Sequence, residues 1–117
     1  MLSPCRLRVC AAMAESEDLV AMNEVDLASM REDCGLQYGP ANELLWRHMR
    51  ALQVARYKHH LLSDVHTLME VEAVQLLQYG AKMSQLRNHT HLTASHPGRV
   101  DCVVCWLEYE LVPGVWL

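Results

Sequence analysis

The 117-residue chain is long enough for one modest domain, and its 51% hydrophobic content excludes global disorder. Fourteen acids against ten Lys and Arg give a net charge of −4, which excludes a broadly basic nucleic-acid footprint. No apolar run reaches the roughly 18 residues of a membrane span, and Met1–Met13 lacks the long apolar centre of a signal peptide.

Leu7, Val9, Ala11 and Met13 alternate and predict a first strand, although the alanines also suit a short helix. The stretches "ESEDLV" and "MNEVDLASMREDCG" read as polar, weakly periodic connections. Gly39-Pro40 marks a boundary, because Pro suits the first turn of a helix and fits its interior badly. Leu45, Met49 and Leu52 then recur at helical spacing and predict one amphipathic helix over 40–58, with Trp46 as a packing residue.

Beyond it, Val65, Thr67, Met69, Val71 and Ala73 share one face of a second strand, opposite His66, Glu70 and Glu72. "QLRNHTHLTA" also alternates, and Ser95-His96-Pro97-Gly98 has the chemistry of a connecting turn. Arg99–Leu111 gives the strongest strand pattern. Val103, Cys105, Leu107, Tyr109 and Leu111 lie opposite Val100, Cys102, Val104 and Trp106, so a central or barrel strand is expected, ended by Pro113-Gly114. The predicted class is a β-rich α+β fold.

Charge is unevenly spread. Seven acids and one Arg fall between Glu15 and Asp33, and four bases, three His and no acid between Arg47 and His60. Pairing between these two segments is expected. Five cysteines form no disulfide framework, so reduced thiols in the cytoplasm or nucleus are expected.

Candidate chemistry is sparse. Cys102-x-x-Cys105 has redox or zinc spacing, but residues three apart on a strand point to opposite faces. His89, His91 and His96 lack a matching zinc-knuckle arrangement. Ser63, Asp64 and His66 have the residue types of a triad without convergence or oxyanion donors. Glu70 with Glu72, and Glu108 with Glu110, form acidic pairs that read as solvated faces. No GxGxxG after a strand, GxxxxGK[ST], HExxH or HxE…PCxxC occurs. No catalytic, cofactor-binding or metal residue is assigned.

The segments "YKHHLLSDVHTLMEVEAVQLLQYG" and "HTHLTASHPGRVDCVVCWLEYELVPG" resemble the C-terminal β-barrel of protein arginine methyltransferases, nearest the divergent members with two tandem modules. Leu62-Ser63-Asp64 matches the family's leucine-serine-acid turn, and Val103–Leu111 its tryptophan- and acid-bearing strand. "CRLRVCAAMAESEDL" resembles the start of that barrel, where an apolar strand leads into a Glu-Ser pair, here Glu15-Ser16. The resemblance spans residues 4–20 and 60–115.

It implies a partial methyltransferase-type β-barrel over 1–117. In a complete enzyme such a barrel supports S-adenosylmethionine-dependent methyl transfer to arginine-containing protein substrates. The family's glycine-rich donor loop and paired-acid loop have no counterpart here, and the chain stops before the usual position of its Thr-His-Trp element. Glu108 matches the strand acid and not the catalytic pair. The expected partners are a methyltransferase module or another protein chain, with self-association through an exposed strand edge and no membrane. A non-catalytic structural or protein-interaction domain is the competing reading.

Overall fold

The computed structural model describes residues 3–24, 26–35, 39–45, 49–79 and 87–117. The chain divides into two compact units, Met1–Ala14 with Leu61–Leu117, and Glu15–His60.

The first unit is organised by β1 (Arg6–Glu15). One edge of β1 pairs with β4 (Cys102–Val112), from Arg6↔Glu110 to Ala14↔Cys102. Its other edge takes β2 (His60–Leu61) and β3 (His66–Glu72). A short β5 (Val115–Trp116) folds back on the end of β4, giving the order β2-β1-β4-β5. The result is a curled antiparallel half-barrel sheet in a β-rich α+β protein. Register shifts at Val9/Cys10 and at Glu110/Val112 mark its irregularities, and such irregularities increase local twist.

Strand pairing on both edges overrides the helical tendency of the alanines in β1. Cys10, Ala11, Ala12 and Ala14 are 0–1% exposed and form most of a small core, with Leu62 and Val71. Only small side chains leave room for close packing on both faces of this strand. Leu62 ties the unit together through its backbone. Its N–H donates to the Met13 carbonyl at 2.8 Å, and its carbonyl accepts from Ser95 N–H at 2.7 Å and His96 N–H at 3.1 Å.

The strand expected over 99–111 forms as β4, inside the strand order between β1 and the short β5, in keeping with a central or barrel strand, although its outer face is not covered. Val103 and Leu107 are 51% and 49% exposed, so one face of β4 carries apolar residues in the open. Two other strand expectations change. The face predicted through Ala73 ends at Glu72, where α4 (Ala73–Tyr79) begins. Gln75 Oε1 accepts from the Glu72 N–H at 3.4 Å, the reach-back of a capping box. Residues 87–93 have no regular structure, and the segment joins the fold through a Ser63↔Ala94 bridge; residues 85–86 lie outside the described residues. At the far end, Pro113-Gly114 turns the chain as expected, with Gly114 at φ 85°, a conformation that favours glycine.

In the second unit, the supposed connections fold as α1 (Glu17–Asn23) and α2 (Leu27–Cys34). Ser16 caps α1 by accepting from Leu19 N–H at 3.1 Å, and Glu17 and Asp18 suit the positive end of the helix. The helix expected over 40–58 is shorter. It comprises α3 (Gly39–Leu45), whereas 49–53 have no regular structure and a 3₁₀ turn covers Val54–Arg56. Met49, meant for its apolar stripe, is 94% exposed. A helical stripe without a surface to cover it lacks the main source of helix stability in water. Trp46 lies outside the described residues.

Candidate functional site

Residues two apart on a strand share a face, so Arg6 and Arg8 of β1 face the same way. The sheet register sets Glu72 and Glu110 across from Arg6, and Glu70 and Glu108 across from Arg8. An acid–base–acid pattern thus runs twice across one face. Arg6 holds Glu110 through Nε and through Nη2 at 2.9 Å, and reaches diagonally to Glu70 at 2.9 Å. Arg8 Nε donates to Glu108 Oε2 at 2.6 Å, and Trp106 Nε1 donates to Glu108 Oε1 at 2.9 Å. Trp116 of β5 lies 4.0 Å from Arg8 and 5.5 Å from Arg6, ring centroid to Cζ, within cation–π range.

Glu110 is the best-held member. It is 1% exposed, and it also accepts from Gly114 N–H at 2.7 Å and from the Cys5 thiol at 3.4 Å. Its hydrogen bonds with Arg6 and then Gly114 depress its pKa to about 2. Hydrogen bonds from Trp106 and Arg8 depress that of Glu108, and the same contacts raise both arginines. Carboxylates held this low by cations are poorly matched to general acid or base work near neutral pH. Each does bind a guanidinium, but it belongs to the chain's own Arg6 or Arg8. The reading of Glu108 and Glu110 as a solvated face is corrected to an ion-paired lattice that joins three strands.

The remaining candidates are dispersed. Cys102 is half-buried and Cys105 exposed, in keeping with opposite faces of β4. Burial, with the charge of Asp101, raises the Cys102 thiol; burial and the Glu110 hydrogen bond raise that of Cys5. Ser63 Oγ accepts from Met13 N–H at 2.9 Å and donates to the Asp64 carbonyl at 3.1 Å, so its hydroxyl serves the backbone. His66 sits in β3 opposite Ala11. His89 and His91 lie in the irregular segment, and His96 Nδ1 meets Ser95 Oγ at 3.0 Å. Among the described residues, no group of three or more His, Cys, Asp or Glu could hold a metal ion.

The second unit contains an open depression of about 290 Å³, lined by Glu15–Asp18 and Lys58–His60. His60 Nε2 pairs with Glu15 at 3.1 Å, Asp18 accepts from Lys58 N–H at 2.8 Å, and Ser16 Oγ donates to the Lys58 carbonyl at 2.6 Å. These contacts join the acidic and basic segments, two of them through the Lys58 backbone and one through the His60–Glu15 pair, and none uses the Lys58 ammonium. They stitch two chain segments together, and the Ser16 hydroxyl is engaged by the Lys58 carbonyl and the Leu19 N–H.

Among the described residues, no helix is long and apolar enough to cross a membrane. The chain matches no protein-family model and no curated protein.

Proposed function

We propose that the chain is the barrel portion of a protein arginine N-methyltransferase-like protein. It helps shape a substrate groove and supports an S-adenosylmethionine-binding module, and performs no methyl transfer by itself. The observation carrying this reading is the nine-residue antiparallel register of β1 with β4. It sets two of the family-like segments, the opening one and the last one, side by side in a curled half-barrel, with the Leu62-Ser63-Asp64 turn fastened to the end of β1. The tied carboxylates of Glu108 and Glu110 support a structural role for the face that bears them.

In this reading the cofactor, S-adenosylmethionine, and the arginine-containing protein substrate belong to the complete enzyme, which works in the cytoplasm or nucleus. A protein-interaction domain without catalytic ancestry is the second reading, favoured by the exposed apolar face of β4. The purified chain is to be incubated with labelled S-adenosylmethionine and arginine-rich protein. No label transfer is expected; robust transfer that depends on this chain overturns the proposal.

A further inference from the structure

Among the described residues, the edge of β4 away from β1 is unpaired ahead of Tyr109. Tyr109 exchanges backbone hydrogen bonds of 3.0 and 2.8 Å with Leu117, on the side away from β1. Backbone groups of successive residues alternate between the two edges of a strand. Val103, Cys105 and Leu107 therefore direct their N–H and C=O groups toward that same outer edge. Among the described residues, β1 is the ladder partner of Cys102–Glu108, and β5 reaches only the end of β4. The same three residues put their side chains on the exposed face.

Natural edge strands are guarded against pairing by Lys, Pro, inward charges or bulges. Cys102–Leu107 contains no charged residue and no Pro. Glu108, at its end, is already held by Arg8 and Trp106. Nothing in the stretch repels another uncharged strand.

We propose that this edge pairs with the same edge of a second copy of the chain, antiparallel about a twofold axis at Cys105. The open stretch Cys102–Glu108 is centred on Cys105, so the twofold brings every open residue opposite another open residue. Val103 meets the partner's Leu107, Val104 meets the partner's Trp106, and Cys105 meets its own copy. A twofold contact satisfies open donors and acceptors reciprocally; its inner pairs here are apolar, and the outer Cys102–Glu108 pair sets no like charges opposite each other. This inference is independent of the methyltransferase-like reading.

Two double variants test the register. V103K/L107K sets Lys opposite Lys across the axis, whereas V103K/L107E sets Lys opposite Glu. Both place charge at exposed positions, and circular dichroism verifies the fold. In a dilution series followed by light scattering, the unmodified chain is expected to dimerise. V103K/L107K should weaken the dimer at least about tenfold, because like charges oppose each other, and V103K/L107E should restore it. A monomer at every concentration overturns the proposal. A dimer indifferent to V103K/L107K, or equal dissociation of both variants, overturns the register. If V103K/L107K does not fold, a short bismaleimide on the unmodified chain decides: a Cys105–Cys105 cross-link is expected, and its absence refutes the twofold.

Discussion

Leu62→Ala is the sharpest test of where the core lies. The Leu62 side chain is 1% exposed and is the largest apolar one among the fully buried. Full burial of a leucine contributes about 1.5–3 kcal/mol, and Leu→Ala in a core costs about 2–5 kcal/mol once the cavity is included. The hydrogen bonds at this position use the backbone, so alanine leaves them in place. A loss of about 3 kcal/mol is expected, which for a chain of this size lowers the melting temperature by roughly 10–15 °C. Leu77→Ala, at a position 73% exposed, is the control and should change stability by less than about 0.5 kcal/mol. Urea unfolding followed by circular dichroism, at concentrations too low for association, measures both. A Leu62→Ala loss under about 1 kcal/mol, or one equal to that of Leu77→Ala, refutes the placement of the core.

Trp106 is half-buried, so Trp106→Ala should cost about 1–2 kcal/mol, below the roughly 3–5 kcal/mol of an enclosed aromatic; urea unfolding with difference fluorescence checks this. Glu110 has a folded pKa of about 2 against an ordinary 4.5, so its stabilisation is present above pH 4.5 and is lost as pH falls toward 2. Thermal melts of Glu110→Gln should therefore differ most from the unmodified chain near neutrality and converge in acid; an equal gap at both ends contradicts the ion-pair role. Ser16→Ala removes the α1 cap and should weaken that helix by about 1 kcal/mol, read as faster amide exchange over 17–23. A brief iodoacetamide pulse with mass mapping should label exposed Cys105 well before buried Cys10; the reverse order would place β4 wrongly.

Local alternation made β1 and β4 readable, because Leu7/Val9 and Val103/Cys105/Leu107 repeat with the period of a strand. Their pairing was not readable, since it joins residues about a hundred positions apart. The same period two contained a missed clue: Arg6 and Arg8 match the spacing of Glu70 and Glu72 and of Glu108 and Glu110, and antiparallel register turns that match into ion pairs. Two caps were also legible and missed, Ser16 before Leu19 and Glu72 before Gln75. In contrast, Leu45, Met49 and Leu52 have helical spacing without a continuous helix, because periodicity records what could be buried and not whether a surface exists to bury it. The outer face of β4, apolar yet exposed at Val103 and Leu107, makes the same point.

The most direct measurement of the barrel role is reconstitution. A tandem-type arginine methyltransferase module, deprived of its own C-terminal barrel, is mixed with this chain, labelled S-adenosylmethionine and an arginine-rich protein. The expected result is a complex of the two chains and label transfer above that of the module alone. A chain that neither binds the module nor changes its methyl transfer contradicts the proposed function.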